Sequence, residues 1–265
     1  MAVGPGDGPR GCHLGLIAHA VPDRAILQVQ ALSKRFGGVV AIKDLSFEVG
    51  SAAVVGVIGP NGSGKTTLLN MINGIYRPDG GDIRLDGSSI AGSPPHVLVS
   101  RGIARTFQNP RVFRTLTVTQ NMLLPLLHRR GGSGKALPHV AELLELVGLE
   151  REANRPASEL SGGQQKLLEF ARALMTEPKV VLMDEPFAGV NPAIKRMLMD
   201  CIRATSGGSG TSFLIVSHEV PDLISLSQRM ICLASGELMA EGPPPRVASS
   251  PAVIEAYLGR SRVGP

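Results

Sequence analysis

Short apolar runs alternate along most of the chain with longer stretches of helical spacing. Residues 53–58 carry Val54, Val55, Val57 and Ile58 and stop at Gly59-Pro60. That pattern predicts a strand buried on both faces. Leu68, Leu69, Ile72 and Ile75 follow at helical spacing after Lys65. Strand, glycine-rich turn and helix therefore come in succession. Further strands are predicted at 180–183, 213–216 and 230–233, each a short apolar or β-branched run beside a polar turn. A helix is predicted over 167–175, with Leu168, Ala171 and Met175 on one face, and another through Leu137, Val140, Leu144 and Val147. Residues 26–31 and 40–49 alternate in part and read as strands, so order begins near Ala25. Strands interleaved with helices imply a mostly parallel sheet covered on both sides.

Composition narrows the class. The chain has 265 residues, 43% hydrophobic and 18% charged, which excludes a disordered or fibrous protein. No apolar run reaches the roughly 18 to 20 residues that a membrane-spanning helix needs. Aromatics are 3% with no Trp, which argues against a stacking platform for nucleic acid. Cys12, Cys201 and Cys232 are too few and too scattered for a disulfide framework or a cysteine zinc site, and suggest a reducing cytoplasm. Residues 1–24 are rich in Gly and Pro. Their apolar stretch from Leu14 to Ala20 is short and broken by His19, so they read as a disordered tail or an over-long start to the reading frame rather than a signal peptide. The net charge of +5 names no partner. Between Gly87 and Ala141, however, there is no Asp or Glu, while Arg101, Arg105, Arg111, Arg114, Arg129, Arg130 and Lys135 all fall there. A solvated basic face and a surface for an acidic partner or anionic membrane both remain open. Gly131-Gly132-Ser133-Gly134 reads as a flexible loop.

Three segments carry chemistry. Gly59-Pro60-Asn61-Gly62-Ser63-Gly64-Lys65-Thr66 fits the phosphate-loop pattern between a strand and a helix. Its glycines let successive N–H groups face phosphate oxygens, Lys65 would reach the β- and γ-phosphates, the Thr66 hydroxyl would bind Mg²⁺, and Thr67 adds a hydroxyl on the α-phosphate side. The hydrophobic strand ending in Asp184-Glu185 places one carboxylate for Mg²⁺ and the next for polarising an attacking water. Leu160-Ser161-Gly162-Gly163-Gln164-Gln165 opens a helix with Ser161 suited as N-cap, a second anion-binding surface in one chain.

With these three segments in order, the sequence resembles the nucleotide-binding subunit of an ATP-binding cassette (ABC) transporter. The resemblance spans about 26–259. It implies that Phe36 stacks on adenine. Gln108, in Arg105-Thr106-Phe107-Gln108-Asn109, would contact Mg²⁺ and the attacking water and link the site to a membrane subunit. His218 matches the switch histidine that contacts the γ-phosphate. Ser161, Gly162, Gly163 and Gln164 would complete the site of an opposing subunit, and Asn191, in Ala188-Gly189-Val190-Asn191-Pro192, lies in the loop joining two sites. Segment 101–108, that loop and the terminal Val253-Ile254-Glu255-Ala256-Tyr257-Leu258-Gly259 resemble the branched-chain amino acid importer subgroup. Gln120, Asn191, Ser217 and Glu219 depart from commoner residues without removing a catalytic group.

The resemblance implies an α/β phosphate-loop NTPase with a mainly parallel core sheet, a small antiparallel β-region and a helical subdomain over about 93–163. A single ATPase domain would cover 25–259, between tails at 1–24 and 260–265. The expected activity is ATP hydrolysis by Glu185, His218 and Gln108, with Thr66, Gln108 and Asp184 toward Mg²⁺. It would drive amino acid import by ATP-dependent dimer closure at the cytoplasmic face of the membrane. Expected partners are transmembrane permeases, a second ABC ATPase and, indirectly, a periplasmic or extracellular substrate-binding protein, with no nucleic acid. A urea or amide importer, a lipid exporter and a soluble cassette ATPase remain alternatives at this point.

Overall fold

The computed structural model describes residues 24–127 and 136–258. The expected tails and the glycine loop at 131–134 lie outside the described residues, apart from Arg24, as do Cys12, Arg129, Arg130 and Lys135. Six strands form the central sheet: β3 (Val54–Ile58), β6 (Ile103–Thr106), β7 (Val180–Asp184), β8 (Ser212–Val216), β9 (Arg229–Ala234) and β10 (Glu237–Gly242). Their order is β10-β9-β3-β8-β7-β6. All neighbours run parallel except β10 against β9.

Strand periodicity divides the core in two. Val54, Ile58, Val181, Met183, Phe213, Ile215, Met230 and Cys232 enter one cluster. Val55, Val57, Val180, Leu182, Leu214, Val216, Ile231 and Leu233 enter the other. Both faces are therefore buried, which is why these strands read as continuous apolar runs instead of alternating ones. On the first face lie α4 (Leu137–Leu146), α5 (Gly162–Leu174) and α6 (Pro192–Ser209), through Val140, Leu144, Leu168, Ala171, Leu198 and Ile202. On the second lie α1 (Lys65–Ile72) and a four-stranded antiparallel sheet. That sheet is ordered β2-β1-β4-β5, from β1 (Ala25–Phe36), β2 (Val39–Gly50), β4 (Gly80–Leu85) and β5 (Ser88–Ser89).

The expected strands are all present, each end within five residues of its expected position. Two helices end before their apolar spacing suggested, although α5 also begins earlier than expected, at Gly162. Ile75 falls after α1, beyond the left-handed Gly74, and is 47% exposed. Met175 follows α5 as its C-cap but is still buried. The range 93–163 holds α2 (Pro95–Arg101), α3 (Val118–Leu123) and α4, but it also supplies β6 to the core sheet. A four-residue strand after a helix offers too few positions for periodicity to register.

Candidate nucleotide site

The sheet order brings the chemistry together. β3 lies beside β8, and β8 beside β7, so the loop after β3, the Asp184-Glu185 pair after β7 and His218 after β8 all emerge at one edge of the sheet. At Gly59 φ is +150°, and a Cβ would stand 2.2 Å from the Leu233 carbonyl oxygen. At Gly64 φ is +102°, and a Cβ would stand 2.6 Å from the Ala41 carbonyl oxygen. Only glycine lets the loop pass between β9 and β2 this closely. Lys65 is buried, and its Nζ donates to the carbonyls of Gly59 (2.8 Å) and Pro60 (2.9 Å). Burial lowers its pKa below the ordinary lysine value, against the opposing charges of Glu185 and Asp184.

Asp184 and Glu185 are held differently. In register, Asp184 pairs with Val216. Its carboxylate accepts a 3.2 Å hydrogen bond from Arg105 Nη2, and Arg105 Nη1 donates to Asn70 Oδ1 on α1 at 2.6 Å. The Arg105 side chain is only 5% exposed, and desolvation lowers its pKa while Asp184 raises it. One member of the basic stretch thus turns inward instead of facing solvent. Glu185 has φ +50°, a left-handed conformation that ordinary residues adopt only where their surroundings hold them. Its N–H donates to Val216 O (2.9 Å), and its Oε2 accepts the His218 N–H (3.1 Å). Oε1 lies 3.3 Å from His218 Nε2, is buried, and has no hydrogen-bond partner among the described residues.

A cavity of about 470 Å³ opens here. It is lined by residues 61–67, Gln108, Asp184, Glu185, Ala188, His218 and Glu219, with Val39, Val40 and Ala41 on one wall. Phosphate-loop amides, a buried lysine, two carboxylates at a strand end and a histidine define a phosphate-loop nucleotide-binding site.

The remaining expected site residues lie elsewhere. Gly59 and Pro60 shape the loop without lining the cavity. Phe36 is 42% exposed at the β1–β2 hairpin and is not part of the core. Its ring meets Tyr76 edge-on at 5.1 Å. Ser161 and Gln164 form a capping box: Gln164 N donates to Ser161 Oγ (3.3 Å), and Ser161 N donates to Gln164 Oε1 (3.0 Å). Gly162 is exposed, and a Cβ on Gly163 would press on Ile194 at 3.0 Å. Asn191 Oδ1 caps α6 by accepting Ile194 N at 2.9 Å. Gln120 completes a second capping box with Thr117, a role glutamate would also fill.

Sequence reasoning gave no role to Arg105 as the partner of Asp184, or to Glu169. The Glu169 carboxylate, 3% exposed, accepts the N–H groups of Phe107 (3.2 Å) and Arg111 (2.9 Å) on either side of Gln108. The available signals were an arginine inside the apolar run 103–106 and a glutamate between Leu168 and Phe170.

The chain is similar to known proteins over most of its length. The family model described as ABC transporter matches residues 42–188. A second, described as branched-chain amino acid ATP-binding cassette transporter, matches residues 237–262. The high-affinity branched-chain amino acid transport ATP-binding protein BraF of Pseudomonas aeruginosa is 38% identical over 254 residues, 90% of this chain and 99% of that protein. The crystal structure of MJ1267, an ATP-binding cassette of an ABC transporter in its ADP conformation, has a TM-score of 0.81 at 33% identity, covering 89% of this chain and 99% of that one. A dimeric post-hydrolysis state of the cassette MJ0796 bound to ADP and Pi has a TM-score of 0.73 at 27% identity, covering 82% and 98%. The chain belongs to the ATP-binding subunits of ABC transporters, a family of ATPases.

Proposed function

We propose that this subunit hydrolyses ATP to drive import of branched-chain or similar amino acids through membrane permeases. The observation that carries the catalytic part is the convergence of Lys65, Gln108, Asp184, Glu185 and His218 on one cavity. The substrate reading is supported by the match over 237–262 and by the similarity to BraF.

The loop amides of 61–66 and Lys65 hold the phosphates, and Phe36 stacks on adenine. The donor set of the Thr66 hydroxyl, the Gln108 amide oxygen and the Asp184 carboxylate is all oxygen, which fits Mg²⁺. Among the described residues no group of three or more His, Cys, Asp or Glu forms a metal cage. When bound, Mg²⁺ neutralises charge on the β- and γ-phosphate oxygens. Glu185 accepts a hydrogen bond from the attacking water at Oε1, the oxygen that has no hydrogen-bond partner among the described residues. His218 holds Glu185 in place and offers Nε2 to the γ-phosphate.

The exposed turn from Ser161 to Gln164 acts on the nucleotide of an opposing cassette, and Asn191 lies on the path between the two sites. Closure of the two cassettes on ATP, and reopening after hydrolysis, would move residues 93–163. Gln108 and the stretch after it would pass that motion to a permease. Among the described residues no helix is long and apolar enough to cross a membrane. By its resemblance to transporter ATPases, the subunit would sit at the cytoplasmic face through its permease partners. A substrate-binding protein outside the membrane would act on the complex indirectly.

Affinity purification from detergent-solubilised membranes, followed by mass spectrometry, tests this reading. Two permeases and a second cassette ATPase are expected. After reconstitution with the binding protein, leucine, isoleucine or valine should stimulate ATP hydrolysis. Stimulation by urea, an amide or a lipid instead, or recovery without any membrane protein, would overturn it.

A further inference from the structure

The terminal segment that resembles the importer subgroup has no part in the chemistry above, yet it reaches the phosphate loop. α9 (Pro251–Leu258) follows β10 and a short helix, α8 (Pro244–Ala248). Val253 pins α9 into the core at 3% exposure, in the same cluster as Cys232 and Val247. One turn further on, the Tyr257 hydroxyl accepts the backbone N–H of Gly59 at 2.7 Å. A cavity of about 440 Å³, lined by Pro60 on the loop and by Ala252 and Ala256 on α9, lies between loop and helix beside this contact.

We propose that Tyr257 is a positioning residue for the phosphate loop. Its hydroxyl fixes the Gly59 peptide so that the amides of 61–66 are already aimed when nucleotide arrives. The reasoning rests on the ATP-binding role of the loop. Gly59 is gripped at both ends: its N–H by Tyr257 and its carbonyl by the Lys65 ammonium. Its left-handed φ and its close approach to the Leu233 carbonyl leave little freedom between those grips. When Lys65 turns from the Gly59 and Pro60 carbonyls toward phosphate, the carbonyl grip is released and the Tyr257 contact still orients the peptide. A loop ordered before binding gives up less conformational entropy on binding, so losing the anchor weakens affinity without touching the reacting atoms. Burial also raises the Tyr257 pKa above the ordinary tyrosine value, so the phenol stays neutral through physiological pH.

Tyr257→Phe removes only the hydroxyl, and it is tested in the full-length subunit. Kd for ATP, and KM where hydrolysis is measured, should rise about 3- to 10-fold, the range expected for one hydrogen bond. The kcat should stay within about twofold. Hydrogen–deuterium exchange should increase in the peptide covering β3 and the loop and stay unchanged in β7 and β8. Unchanged Kd and unchanged loop exchange would overturn the proposal. So would a uniform rise in exchange across the sheet with a lower Tm, since that marks packing and not positioning. Val253→Ala, which loosens α9 but keeps the hydroxyl, should raise Kd less than Tyr257→Phe; the reverse order would also overturn it. Failure of the wild type to bind ATP would instead defeat the ATPase reading.

Discussion

The Glu169 carboxylate accepts the backbone N–H of Phe107 at 3.2 Å, tying the residue before Gln108 to the helix capped by Ser161. Its other oxygen accepts Arg111 N at 2.9 Å. One buried side chain thus spans the loop that carries Gln108 and fastens it to α5, whose N-terminus is the surface proposed to act on an opposing cassette. The two elements are mechanically joined inside a single chain.

Glu169→Ala should leave two amides without an acceptor and cost about 1–3 kcal/mol of stability. Burial raises the Glu169 pKa above the ordinary 4.5, with the two amide bonds and the nearby Arg172 and Arg111 opposing the shift. The folded state therefore keeps this proton to higher pH than the unfolded chain does. Its stabilising effect is complete below the ordinary value and is lost as pH rises through the raised one. Glu169→Gln removes that component. Urea titrations across this window should show the variant gaining stability relative to wild type as pH rises.

Glu185→Gln keeps the side chain's size and loses its charge. ATP hydrolysis should fall about 10²- to 10⁴-fold, as expected for loss of a general base. ATP affinity should stay within about threefold. Phosphate release and equilibrium nucleotide binding measure the two separately, and near-normal turnover would remove Glu185 from the catalytic role.

Lys65→Ala deletes the loop's cation, which also secures the Gly59 and Pro60 carbonyls. Hydrolysis should drop by about 100-fold or more, because charge at the transferring phosphate loses its nearest fixed cation. Steady-state ATPase assays at saturating ATP check this, and unchanged activity would defeat the site assignment.

Arg105→Met breaks the ion pair with Asp184 while roughly preserving volume. Removing one member of a buried pair costs about 3–5 kcal/mol, read as a lower denaturation midpoint. Asp184→Asn in the Arg105→Met background should cost far less than it does alone, because the two residues act as a pair. Additive losses would show that the 3.2 Å contact contributes nothing to stability.

Much of this protein was legible in its sequence because the relevant physics is local. Val54 to Ile58, stopped by Gly59, reads as a buried strand meeting a phosphate loop, since strand period and glycine backbone freedom act over a few residues. Ser161 with Gln164 reads as a helix start because a capping box closes within one turn. Asp184 and Glu185 announce themselves by ending an apolar run.

Other features depend on elements far apart in the chain. Only the β3-β8-β7 strand order sets His218 against Glu185, and only the β6–β7 pairing turns Arg105 from an apparent surface charge into the partner of Asp184. Likewise, the hydroxyl of Tyr257 meets Gly59 across 198 positions of sequence. No periodicity reports such a contact, because it is set by how packed layers place distant backbone ends rather than by the residues on either side. Local chemistry along the chain fixes which chemical groups the protein carries and which elements hold them. Tertiary packing sets which of those groups face one another, because the strand order and the layers packed on the sheet bring together backbone ends that lie far apart in sequence.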